Sequence, residues 1–152
     1  MAKATTLFVT APNGEKLTRT THRTYTHAII ARHSYDRALA HAATPAPVDA
    51  LNFDYYVERA DRGAAHPHFR SDSDLEQYVQ IAARHTKESY VEMKRQERIQ
   101  AVDALKRSGY YEKFEAMTWC GRPDLAQKEL AAWLKKSWAC DVSIAEVQGG
   151  AK

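Results

Sequence analysis

The chain has 152 residues, 44% of them apolar and 27% charged. Those are the proportions of an ordinary globular domain, long enough to bury its own core. No apolar run approaches the roughly 18 residues of a membrane span, which excludes a helical membrane protein. The net charge of +3 is small but unevenly spread, since residues 1–41 carry +4, residues 42–78 carry −4 and residues 79–152 carry +3.

Residues 4–33 predict an antiparallel β-meander. Thr6-Leu-Phe-Val-Thr-Ala is β-branched and apolar, and Asn13-Gly14 is a hairpin-turn signal before the threonine-rich run from Lys16. Residues 23–32 form the third run, with Tyr25, His27 and Ile29 on one face and Thr26, Ala28 and Ile30 on the other. Its apolar end suits a central strand. Ser34 caps a short helix that Thr44-Pro-Ala-Pro stops. Tyr55, Tyr56 and Val57 predict a brief extended piece, and residues 63–69 a loop.

Residues 72–107 carry the strongest helical signal, opened by a capping box of Ser73 and Glu76 and closed at Gly109. Apolar stripes mark both ends, whereas the middle, from Arg84 to Arg98, is polar except for Tyr90, Val91 and Met93. Such a middle does not fit a core. Either one long helix projects as an arm, or the segment breaks near Thr86–Ser89 into a helical hairpin. The last forty residues read β-α-β: a strand over 114–120, a helix begun by Pro123 and carrying Leu125, Leu130, Trp133 and Trp138, and a strand from Cys140. The fold class expected is therefore α+β, as one domain over 1–148 with a helical arm at about 72–108 and a flexible tail over 149–152.

The chemistry-bearing residues form no catalytic signature. Nucleophile elbow, phosphate loop, dinucleotide fingerprint and H-E-x-x-H are all missing. His22-Arg-Thr24 matches half of the signature of two-histidine phosphoesterases, but that chemistry needs a second copy for its acid and base, and there is none. His66-Pro-His68 with Asp72 and Asp74 offers metal-ligand types without an anchoring pattern, so no metal and no cofactor are expected. Cys120 and Cys140 form no zinc quartet and read as buried thiols of a reducing compartment. With no apolar leader before the first strand, a cytoplasmic location is expected.

Two surfaces are left for binding. In the first sheet Lys16, Arg19, Arg23, His27 and Arg32, together with His22, are interleaved with Tyr25, so cations can meet phosphates while the ring stacks on a base. Along the polar helix, Arg84, Lys87, Tyr90, Met93, Lys94 and Arg98 form a face for a protein partner or for a second copy in a symmetric dimer.

Thr10-Ala-Pro-Asn-Gly, Arg23-Thr-Tyr-Thr-His-Ala-Ile-Ile and Trp119-Cys-Gly-Arg-Pro-Asp-Leu-Ala-Gln-Lys resemble small accessory proteins of bacteriophages and prophages. The resemblance implies a non-catalytic protein in the host cytoplasm that binds and inhibits or redirects a host protein or protein–nucleic-acid complex. The alternative is direct, weak nucleic-acid binding through the basic N-terminal sheet.

Overall fold

The first hairpin follows its turn residues. Strand β1 (Thr5–Thr10) pairs antiparallel with β2 (Lys16–Thr21). The loop between them closes with Ala11 N–H to Glu15 O at 2.8 Å and Gly14 N–H to Ala11 O at 2.9 Å. Gly14 has φ 88, a conformation that side chains with a Cβ rarely adopt. The computed structural model describes residues 3–65 and 73–149, and within them the chain is α+β.

Strand β3 (His27–His33) departs from the expected meander: it leaves β2 and becomes the centre of a second sheet, ordered β4-β3-β5, with β4 at Glu115–Cys120 and β5 at Ala139–Glu146. The physical reason is its composition. Ala28, Ile29, Ile30 and Ala31 are all fully buried, so both faces must be covered, and only a central position does that. Tyr25 lies in the connection before the strand rather than on it. Helix α5 (Pro123–Leu134) links β4 to β5, which run parallel on either side of β3, so the expected β-α-β unit is present and is split by an earlier strand. One face of β3, Ala28 and Ile30, packs with Val9 of β1 and with Ala11 just after it. The other carries Ile29, whose β4 partner Thr118 accepts a 3.0 Å hydrogen bond from Trp133 Nε1 of α5. Two sheets and a helix thus make three layers.

The expected flexible tail is corrected at Gly149. It forms β6 (Gln148–Gly149), paired with β1 through Leu7 and Phe8, and completes the first sheet in the order β2-β1-β6. Residues 150–152 lie outside the described residues.

The chain forms two compact units, Met1–Ala38 with Leu105–Lys152, and Leu39–Ala104. The second is helical. Helix α1 (Tyr35–Ala43) starts at the expected Ser34 cap, with Arg37 N–H to Ser34 Oγ at 3.2 Å. Helix α2 (Pro47–Ala65) takes in Tyr55, Tyr56 and Val57, which were expected to be extended. Asp49, Phe53, Ala60 and Gly63 are buried at alternating four- and three-residue spacing with half-buried Tyr56, and this helical face overrides the local preference of a Tyr-Tyr-Val run. Residues 63–65 end that helix instead of opening a loop. The His66/His68 group and the Ser73 side chain of the capping box lie outside what the structure describes.

The long helix is two helices, α3 (Ser73–Arg84) and α4 (Lys87–Arg107). Thr86 and Ser89 make the break. Ser89 N–H donates to Thr86 Oγ1 at 3.1 Å, and Thr86 N–H donates back to Ser89 Oγ at 2.9 Å. Neither helix is a free arm. Leu75 of α3 fills the space over Gly63 of α2, and Tyr90 of α4, 2% exposed, meets Phe53 and Tyr56 with ring centroids at 5.5 and 5.9 Å. Burial and a hydrogen bond with Tyr56 push the Tyr90 phenol up to about 12. No helix of the described residues is long and apolar enough to cross a membrane.

Candidate functional site

The structure separates the six residues expected to bind nucleic acid. Lys16 lies on the face of β2 opposite Arg19, its ammonium 4.7 Å from the Phe8 ring centroid. His27 bonds its neighbour, with Nδ1 2.9 Å from Thr26 Oγ1. Arg32 is in the second sheet and is committed to Asp141 through a short ion pair.

Arg19, Arg23 and Tyr25 remain together. The β2–β3 connection runs Thr21-His-Arg-Thr-Tyr25 and bends back over the end of the first sheet. With Thr5 and Leu7 of β1 and Gly149 of β6, it encloses a depression of about 260 Å³. Arg23 N–H donates to Thr21 Oγ1 at 3.0 Å, which fixes the start of the bend. Tyr25 is held from two sides. The Arg19 guanidinium lies 4.9 Å from its centroid and the Trp119 ring is tilted at 6.0 Å. His22, Arg23 and Arg19 are exposed, and none enters an ion pair among the described residues. The result is a concave surface lined by His22, Arg23, Tyr25 and three threonines, with the Arg19 guanidinium over the Tyr25 ring. Thr5, Leu7 and Gly149 have no signal in the sequence, because the site needs β6 to return to β1.

Four of the six residues expected to form a partner face on the polar helix have partners within the chain. Lys87 Nζ lies 2.8 Å from Asp54 Oδ1, whose hydrogen bond and charge raise the lysine's pKa. Lys94 pairs with Glu97 at 3.2 Å, and Tyr90 is core. Arg98 Nη1 meets Asp49 Oδ2 at 2.6 Å, and its remaining donors point to the carbonyls of Ala42 and Thr44 at the end of α1, both at 3.4 Å. Met93 is half-buried. Arg84 alone of the six stays exposed with no hydrogen bond or ion pair among the described residues. Tyr90 is buried and Val91 and Met93 are half-buried within one chain, so none of the three apolar side chains at the helix centre is fully exposed. Exposed apolar side chains of this unit include Val48, Leu51 and Tyr55, which follow one stripe of α2 and are 55%, 67% and 43% exposed.

Among the described residues no three His, Cys, Asp or Glu side chains cluster as metal ligands. No protein-family model, curated protein or solved structure matches the chain.

Proposed function

We propose that the protein is a non-catalytic nucleic-acid-binding protein that takes single strands at the Arg19–Tyr25 depression. The observation that carries this is the Arg19 guanidinium over the Tyr25 ring, near His22 and Arg23, with none of these three basic side chains in an ion pair among the described residues. Bases stack on aromatic and guanidinium planes, and each such contact is worth about 1–3 kcal/mol, while cations track the phosphates. A footprint this small gives weak binding that depends on salt. Two or three phosphate contacts on a single strand correspond to a slope of log K against log salt of about −1.4 to −2.1. Fluorescence anisotropy with a labelled oligonucleotide tests the reading. Arg19→Ala and Arg23→Ala should each weaken binding and flatten the slope by about 0.7, and Tyr25→Ala should weaken it with little change in slope. Binding that survives near-molar salt, or that ignores both arginine substitutions, refutes it.

A second reading, a host protein as the partner, is supported by the exposed Val48/Leu51/Tyr55 stripe, since contiguous exposed apolar surface marks interaction sites. It moves the partner face from α4 to α2. A stoichiometric host protein retained by wild type after nuclease treatment and lost with Leu51→Asp would favour it. Retention that nuclease abolishes favours the first reading.

A further inference from the structure

A second concave surface lies wholly in the first unit, at the far end of β3 from the depression above. There β3 passes into α1 through the single residue Ser34, and a cavity of about 320 Å³ opens among Arg32, Tyr35, Asp36, Lys106, Glu112 and Cys140. That volume is at the small end of ligand pockets, which run about 300–1,000 Å³.

The backbone around it is specially formed. The pairing of β3 with β5 slips between Ile30 and Arg32, and Asp141, in the slipped stretch of β5, has φ 51. A non-glycine residue in this region is uncommon and marks a built position. Its carboxylate holds Arg32, whose Nη1 also reaches the Tyr111 carbonyl at 3.4 Å. Arg32 is thereby a neutralised wall, and Cys140, one residue before the irregularity, lines the cavity beside it.

The remaining charges are the informative ones. Lys106 holds its ammonium 4.0 Å from the centroid of Tyr35, and neither it nor Asp36 nor Glu112 enters an ion pair among the described residues. One cation and two carboxylates share a small cavity without neutralising one another. A ligand complementary to them carries one carboxylate and two cationic groups. The geometry points to a binding site for a free basic α-amino acid of the arginine or lysine type, its carboxylate at Lys106 and its two cationic ends at Asp36 and Glu112. This site is independent of the nucleic-acid surface.

Cys140 supplies a reporter. It is half-buried in the cavity wall, whereas Cys120 is 4% exposed in the core, so maleimide labelling read by peptide mass spectrometry separates the two thiols. L-arginine should slow labelling of Cys140 with a half-effect near about 0.1–1 mM and leave Cys120 unchanged. Agmatine, which lacks the carboxylate, and L-glutamate, with the opposite charge balance, should protect at least about tenfold more weakly. Glu112→Gln and Asp36→Asn, each checked for unchanged circular dichroism, should each weaken arginine protection by about tenfold. Three results each overturn the proposal: wild-type labelling indifferent to arginine at tens of millimolar, agmatine protecting as well as arginine, or both carboxamide variants behaving as wild type. The first two need no variant and so do not depend on one folding.

Discussion

Arg98→Met tests whether a residue that looks like a partner contact is an internal strut. The Asp49 side chain is 10% exposed and that of Arg98 30%, with the charged atoms 2.6 Å apart. Removing one member of a buried ion pair leaves the other charge desolvated, at about 3–5 kcal/mol when burial is complete. Water still reaches part of the arginine, which places the loss near the lower end, at about 3 kcal/mol. The two 3.4 Å contacts to the end of α1 are long and add only tenths. For a chain of this size a kilocalorie moves Tm by about 2–4 °C, so Arg98→Met should melt about 6–12 °C lower by circular dichroism at 222 nm. Hydrogen exchange should show the loss concentrated in α1, α2 and α4. Adding Asp49→Leu removes the stranded charge, and the double variant should recover most of the stability. A loss below about 0.5 kcal/mol would class the pair with solvent-screened surface contacts and refute the reasoning. It would also return Arg98 to the residues available to a partner.

Gly63→Ala should destabilise the helical unit by about 1–2 kcal/mol in urea unfolding, because the new Cβ overlaps the Leu75 side chain in the α2–α3 contact. Helix propensity alone predicts a gain of about 1 kcal/mol, so a stabilised variant would show that the contact is not made. Glu92 accepts from Arg95 Nε and Nη2 at 2.9 and 2.8 Å and from Gln96 Nε2 at 2.9 Å, and these bonds, Arg95 first, hold its pKa down to about 2. A depressed carboxylate stabilises the fold above its unfolded value near 4.5 and loses that contribution as pH falls through the folded value. The Tm difference between wild type and Glu92→Gln should therefore be constant from pH 7 to about 5 and shrink toward zero by about pH 2; a difference independent of pH would refute the assignment.

What the sequence disclosed was local. Asn13-Gly14 fixed a hairpin, Pro123 and the apolar spacing after it fixed α5, and the doubly apolar run in β3 fixed a central strand, because each signal lies within a few residues of its effect. What it hid was long-range. The stripe that makes α2 a helix includes Asp49 and Gly63, so a search for apolar periodicity alone passes over it and stops at the β-like Tyr55-Tyr56-Val57. The charges of α4 look poorly matched at i,i+4, yet they are satisfied at i,i+3 and by Asp49 and Asp54 on another helix. The basic patch read as one surface is split because alternation puts Lys16 and Arg19 on opposite faces and the chain carries Arg32 to another sheet. Thr86-x-x-Ser89 was visible in the sequence, but hydroxyl pairs of this kind are less distinctive than a Ser-x-x-Glu box.

The way β3 is paired sets the order in which the molecule can assemble. Ile29 meets Thr118 across about ninety positions of intervening chain, and Leu7 meets Gly149 across about 140. During synthesis all of residues 39–104 emerge before either flank of β3 exists. A helical segment with close-range contacts forms faster than a sheet with distant ones. Once collapsed, it brings β3 and β4 within reach over a shorter effective loop, and each halving of that loop lowers the closure cost by about 0.6 kcal/mol. Until then four consecutive fully buried residues, Ala28 to Ala31, have no neighbouring strand. That interval is when the growing chain is most exposed to aggregation through β3.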